Sequence, residues 1–365
     1  MNSFFSRKET NIIKGIGILL IFLHHFFTFP GWYINGIAYP SLANIATHFT
    51  APFKIPTAVF AFFTGYFYFF NKKKDYKYSF SKILKIYTVY WIIFIPFYIL
   101  ALLIHTADFN IGNFILQLLA LDKETIYFNW YVFFYGFSML LLPLMARFVY
   151  KKNWSLVLFG IILPVIICAL DLAIVPNVYI GTAASYFMGF FPCVTIGFFF
   201  GKIGLFEKLD SFFRKRKLTV LLIIIYLLGI ALSMLGRNYI PHIGYNLSIE
   251  KWNFDANFSL TMDIIYAPLF IFSMAELIRL IPDNKFFNIC TLPFEKMGLY
   301  TLEMWLFSSV FFGNAKNLLQ PILYFPRKAP LVLIWGLVIC FIVSLGIRFL
   351  SDLIGGKKFG KKKLG

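Results

Sequence analysis

A handful of ionisable residues lie inside long apolar stretches, where a charge is costly and marks a functional candidate. The first stretch reads Lys14-Gly-Ile-Gly-Ile-Leu-Leu-Ile-Phe-Leu-His24-His25. Lys14 and His25 are eleven residues apart, which on a helix is about 16 Å and very nearly three whole turns. They therefore share a face, while His24 points roughly a quarter-turn away. An imidazole at such a depth can serve as a general base or a nucleophile, and a lysine can hold an anion. Gly15 and Gly17 thin the helix beside Lys14 and let a neighbour or a ligand approach. Lys14 alone reads as a side chain snorkelling to the interface, and a single buried histidine as a packing residue. The pair on one glycine-lined face points further.

The third stretch opens Ser81-Lys82-Ile-Leu-Lys85-Ile-Tyr87. Its two lysines are three apart and so lie on one helical face. Alone they are interface anchors; together with Lys14 they form a basic cluster suited to a polyanion such as a nucleotide. Glu303 sits inside Gly298-Leu-Tyr-Thr301-Leu-Glu303-Met-Trp305-Leu-Phe-Ser308, and a carboxylate there must pair or face a wet cavity. Asp263 and Glu276 lie nearer the ends of their run and read as interface or packing residues, and Asp171 as the outer end of another. His48, His105 and His242 fall at run ends or in loops and make no ligand constellation, so no metal site is expected.

The elements that must position these residues are membrane helices. The chain is 60% hydrophobic and 14% charged over 365 residues, against about 45–50% and 25% for a soluble domain. Apolar runs fall at 11–29, 50–70, 83–104, 129–149, 154–173, 183–203, 218–237, 259–280, 298–314 and 331–350. They are long and continuous, as helices are, not short and alternating as barrel strands are. The expectation is an all-α integral membrane protein of about ten spans, a single domain over residues 1–365 with a short basic cytoplasmic tail at 352–365. With the N-terminus in the cytoplasm and the loops alternating, 27 of the 34 Lys and Arg residues fall inside. That asymmetry predicts both termini in the cytoplasm. It also accounts for most of the net charge of +18 without nucleic acid. The first run has a basic start but no small-residue cleavage site, so it reads as an uncleaved span. Cys168, Cys193, Cys290 and Cys340 lie singly, with no CxxC pair, and read as packing residues.

With these stretches in view, the chain resembles the bacterial acyltransferase-3 membrane proteins, which O-acylate extracellular carbohydrates. The resemblance covers essentially the whole chain. The family's first-span Arg-x10-His is matched by Lys14 and His25. Its second-span Phe-Phe-x-Ser-Gly-Tyr is matched by Phe62-Phe63-Thr64-Gly65-Tyr66. Its third-span Arg-x-x-Arg-Ile-Tyr is matched by Lys82-Ile-Leu-Lys85-Ile-Tyr87, and its late Gly-x-x-Ser-Leu-Glu by Gly298-Leu-Tyr-Thr301-Leu-Glu303. Asn129-Trp130-Tyr131 fits a family Trp-aromatic pair. Lysine stands at all three basic positions, which keeps the charge but loses the bidentate fork. Ser308 stands where many relatives carry a late histidine.

The resemblance implies a cytoplasmic acyl-CoA donor, expected to be acetyl-CoA, and a glycan or lipid-linked sugar acceptor at the outer side of a bacterial cytoplasmic membrane. Lys14, Lys82 and Lys85 would hold the CoA phosphates, with no further cofactor bound. His25 would act as general base or accept the acyl group itself. Glu303 would orient His25 or another polar group. His24, Tyr66 and Trp130 would line the substrate channel. Two readings from other classes stand beside this one: a polytopic glycolipid transporter or flippase, and a non-catalytic membrane component of polysaccharide assembly. Dependence on acyl-CoA separates both from the enzyme.

Overall fold

Within hydrocarbon every backbone N–H and C=O must find its partner inside the chain, which leaves helices for a sequence of long continuous apolar runs. The computed structural model describes residues 3–29, 48–167, 178–214, 219–244, 262–282 and 284–355, and they form helices with no strand among them. In chain order these are α1 (Arg7–Phe27), α2 (Pro56–Phe70), α3 (Tyr76–Leu103), α4 (Ile111–Leu118), α5 (Trp130–Lys151) and α6 (Ser155–Ile167). They continue with α7 (Val178–Ile203), α8 (Leu205–Arg214), α9 (Thr219–Gly244), α10 (Asp263–Leu280), α11 (Lys285–Leu299), α12 (Thr301–Ser308), α13 (Lys316–Leu323) and α14 (Ala329–Ile354).

Six stretches among the described residues are long and apolar enough to cross a membrane: Arg7–Phe27, His48–Phe70, Tyr76–Leu103, Trp130–Val149, Thr219–Tyr239 and Ala329–Ile354. A seventh is a bent pair, Gly189–Ile203 with Leu205–Phe213, at 64°. The bend falls at Gly204, whose φ of +60° is open to glycine at no steric cost. The other expected runs depart from a simple span for local reasons. The fifth is described only as Ser155–Ile167, with a π-helical segment at Leu158–Ile162; Cys168 and Asp171 lie outside the described residues. The eighth carries Asp263, Glu276 and Arg279 within the 18 residues of α10. The ninth is divided, because Tyr300 leaves helical geometry (φ −113°, ψ 21°) between α11 and α12. Of the basic tail, residues 352–354 continue α14 and residues 356–365 lie outside the described residues.

The described residues fall into two units. The first comprises the described parts of Met1–Pro30, Ser41–Ser79 and Phe137–Leu299. Its helices approach at backbone distance through reciprocal glycines. A methyl group on Gly15 would lie 1.9 Å from the Phe294 carbonyl oxygen, and one on Gly298 1.9 Å from that of Asn11. A methyl group on Gly65 would lie 1.8 Å from the Val194 carbonyl oxygen, and one on Gly197 2.2 Å from that of Phe62. Gly15 thus admits a neighbouring helix, α11. The start of α1 is fixed by a capping box, in which Ser6 Oγ accepts from Glu9 N–H and Glu9 Oε2 accepts from Ser6 N–H at 2.7 Å.

The second unit comprises the described parts of Phe80–Gly136 and Tyr300–Gly365. Tyr90 and Phe94 of α3 stack at 5.5 Å, and Phe94 meets Phe114 of α4 at 5.9 Å. A polar network closes the loop between α4 and α5. Tyr90 Oη donates to the Gln117 carbonyl, Asn129 Nδ2 donates to Tyr90 Oη at 3.2 Å, and Asn113 Nδ2 donates to Glu124 Oε2 at 2.8 Å. Asp122 is buried in this loop, and burial together with the neighbouring Glu124 charge pushes its carboxyl up to about 6. On α14, Val332, Gly336, Cys340, Ser344, Ile347 and Ser351 are buried, while Ile334, Val338, Ile342 and Phe349 are exposed. That broad apolar face suits lipid and belongs to a multi-pass membrane protein.

Candidate functional site

Each unit carries part of the candidate chemistry. In the first, α1 runs unbroken from Arg7 to Phe27, so the spacing of Lys14 and His25 is a true helical spacing. Both are part-exposed, while Ile13, Gly15, His24 and Phe26 beside them are buried. The Lys14 ammonium lies 6.0 Å from the centre of the Phe67 ring, within cation–π range. His24 and His25 have ring centroids 5.1 Å apart in an edge-on arrangement.

His24 is the more buried of the two and is tied into the fold. Its Nδ1 lies 3.2 Å from the Thr50 carbonyl oxygen. A carbonyl only accepts, so that nitrogen carries the hydrogen. Thr28 and Thr50 join their hydroxyls at 2.8 Å beside it. His24 thus ties the end of α1 to the residue before the 3-10 turn Ala51–Lys54. Tyr66 is likewise engaged by its neighbours. It is fully buried among Phe5, Phe62 and Phe206, and its Oη accepts from the Phe4 N–H at 3.2 Å. It pins the N-terminal segment.

Two ion-pair groups in the first unit were missed by sequence reasoning as linked features. Arg279 donates from Nε to Glu9 Oε1 at 2.6 Å, from Nη1 to Glu276 Oε1 at 2.8 Å and from Nη2 to the Phe4 carbonyl at 2.7 Å. Glu276 is therefore a packing partner, as its position suggested. The second group is deeper. Arg237 of α9 holds Asp263 of α10 bidentately, Nε to Oδ1 at 2.6 Å and Nη2 to Oδ2 at 2.8 Å, with side chains 2% and 0% exposed. Gly229 and Gly236 bring α9 against Ser273 and Tyr266 of α10, which sets that distance. The signal was present: Arg237 and Asp263 stand at the ends of their runs. Nothing in either run by itself names the partner.

In the second unit, Lys82 is part-exposed and Lys85 exposed on the first turns of α3. Trp130 is part-exposed and meets Trp305 edge-on at 6.0 Å, while Tyr131 meets Trp305 at 4.9 Å. Glu303 is 0% exposed and is paired with Arg348 Nε. Its second oxygen, Oε2, has no hydrogen-bond partner among the described residues. The Arg348 guanidinium also lies 5.5 Å from the centre of the Tyr300 ring. The carboxylate therefore meets the requirement to pair through Arg348, near the end of α14. Cys193 and Cys340 are buried as packing residues, whereas Cys290 is exposed on α11.

Chemically, the first unit offers an ammonium and an imidazole at two levels of one helix. The second offers a basic turn and a buried carboxylate with one oxygen unengaged. A family model described as an acyltransferase domain matches residues 7–349 of the chain. No curated protein and no solved structure matches it.

Proposed function

This chain belongs to the acyltransferase-3 family and is a membrane acyltransferase, and we propose that it moves an acetyl group from cytoplasmic acetyl-CoA to a hydroxyl of an extracytoplasmic or lipid-linked glycan. The observation that carries the reading is the unbroken α1, with Lys14 and His25 both part-exposed and eleven residues apart. That helix has about 16 Å between a cation and a base, a span suited to a phosphate-bearing carrier whose thioester lies far from its charges. The topology proposed with it is ten spans with both termini in the cytoplasm of a bacterial cell. It is supported by the 27 Lys and Arg residues that then fall inside.

In this mechanism Lys14, Lys82 and Lys85 attract the CoA phosphates, each as a point charge. His25 takes the proton from the sugar hydroxyl as its oxygen attacks the thioester carbonyl. The carbon–sulfur bond then breaks and CoA leaves as the thiolate, to which the proton is returned. The same imidazole could instead carry the acyl group between two such steps. Glu303, held by Arg348, keeps Oε2 as a hydrogen-bond acceptor for a group in the polar interior. His24 anchors the end of α1 so that the neighbouring imidazole is held in place.

The test uses membranes containing the full chain, labelled acetyl-CoA, and a glycan fraction as acceptor. Wild type should transfer label, and His25→Ala at matched folded levels should lose about 10²–10⁴-fold. Equal transfer by the two proteins would remove His25 from the mechanism. No transfer by either, across several acceptors, would move the reading to transport or assembly.

A further inference from the structure

The proposed mechanism leaves one deep polar cluster of the first unit without a task. It gathers Lys54, Thr57, Arg237 and Asp263, with His24 close by. We propose that Arg237 and Lys54 form a binding site for one singly charged anionic group, a carboxylate or a phosphodiester, carried by the acceptor. This inference rests on the acyltransferase reading and names the charge of its second substrate.

The first argument is hydrogen-bond accounting. A guanidinium has five N–H donors. Asp263 takes those of Nε and one of Nη2, and Nη2 also lies 3.5 Å from Thr57 Oγ1. Nη1 has no acceptor among the described residues, although Arg237 is 2% exposed. A donor left open at that depth is costly, so the arrangement calls for an acceptor to enter.

The second argument is charge. Lys54 lies close enough for its ammonium to interact with both Arg237 and Asp263. Among the described residues, two cations face one carboxylate, which leaves one positive charge. Water could satisfy the open Nη1 donor but could not balance that charge; a monoanion does both. The backbone fixes the cluster as well. Thr57 Oγ1 donates to the Lys54 carbonyl at 3.0 Å, tying the 3-10 turn to the residue that faces Arg237. His24 gives its Nδ1 hydrogen to Thr50, the residue that precedes that turn. It therefore borders the cluster with one donor already committed. On the topology proposed above, Lys54 and Arg237 both belong to outer segments, the side from which a glycan arrives.

The experiment measures binding to the full chain in a neutral maltoside detergent, without acyl-CoA. Its result is thus independent of whether the chain transfers acetyl groups. The probes are glucuronate, dimethyl phosphate, glucose and the anionic lipid phosphatidylglycerol. At least one of the two soluble anions should raise the thermal midpoint, and which one does so distinguishes carboxylate from phosphodiester; glucose should leave it unchanged. Lys54→Gln, at a part-exposed position, should weaken anion binding by about tenfold, the loss expected for one charge-assisted contact. Lys54→Arg should restore it. The paired change Arg237→Gln with Asp263→Asn, which removes both buried charges together, should abolish it. The assignment is overturned by equal binding of glucose and glucuronate, by unchanged affinity in Lys54→Gln, or by no response to either soluble anion. A response to phosphatidylglycerol alone would also overturn it, by giving the site to a lipid headgroup.

Discussion

Each unit holds an Arg–carboxylate pair whose carboxylate is fully buried, Asp263 in one and Glu303 in the other, and among the described residues the two pairs leave opposite atoms unengaged. In the first, Arg237 grips both oxygens of Asp263, and the open atom is the arginine's Nη1. In the second, Arg348 holds one oxygen of Glu303, and the open atom is the carboxylate's Oε2. Exposure differs too: Arg237 is 2% exposed and Arg348 29%. A buried pair costs desolvation on both partners and recovers it only with good geometry. The bidentate, fully enclosed pair is therefore a lock with a spare donor. The one-sided pair is a support that leaves a base-like oxygen in place. An arginine paired with a carboxylate thus leaves a spare donor in one unit and a spare acceptor in the other.

The sharpest way to break this comparison is to remove one partner from each pair. Asp263→Ala should cost about 3–5 kcal/mol, because it leaves an enclosed guanidinium with no counter-charge. Thermal unfolding of the purified protein in detergent measures it. Replacing both partners, Arg237→Met with Asp263→Leu, should recover most of that loss. Arg348→Ala should cost less, about 1–3 kcal/mol, since its guanidinium already reaches solvent or headgroups and only the Glu303 carboxylate is stranded. A larger loss for Arg348→Ala than for Asp263→Ala would invert the contrast drawn from their burial. Glu303→Gln keeps the shape, so it should change stability little. It should lower acetyl transfer by about tenfold if Oε2 accepts a hydrogen bond during reaction.

Smaller changes sharpen the contrast by asking what holds each unit outside its ion pair. The first unit depends on backbone contact, so Gly15→Ala should force α1 from α11 at a cost of about 1–3 kcal/mol, read as a lower midpoint. The second depends on the polar loop around Asp122. Its carboxyl holds a proton up to about 6, against an ordinary value of 3.8. The folded state thus binds that proton more tightly than the unfolded chain does. Its contribution to stability should decline as pH rises from about 4 to 6 and stay low above that. Asp122→Asn should flatten that part of the pH profile, and an unchanged slope would assign the dependence to another group.

Several features could be read without coordinates. Lys14 and His25 share a helical face because eleven residues make three turns, and α1 carries that spacing intact. The apolar runs at 11–29, 50–70, 83–104, 129–149, 218–237 and 331–350 correspond to the six helices long enough to cross a membrane. The family was legible from short motifs in order, and a family match over residues 7–349 establishes it. The hydrogen-bond partners of His24 and Tyr66 were not legible, because residue type and depth say nothing about which neighbour claims a polar atom. Thr50 claims the His24 Nδ1 hydrogen, and the Phe4 N–H claims Tyr66 Oη. The division of the ninth run at Tyr300 was equally hidden, since its apolar pattern runs on through the break.

By itself the sequence determined a helical membrane protein, the helical spacing of its first-span cation and base, and its family. Those follow from local periodicity and from the cost of bare backbone in lipid, which act within a single segment. Only the tertiary structure decided that Gly15 receives a helix, that Asp263 belongs to Arg237, and that Glu303 belongs to Arg348. The two partners are 26 residues apart in one pair and 45 in the other. No local rule links them. Their union is fixed by which helices pack together and by the need of each buried charge for a counter-charge within reach.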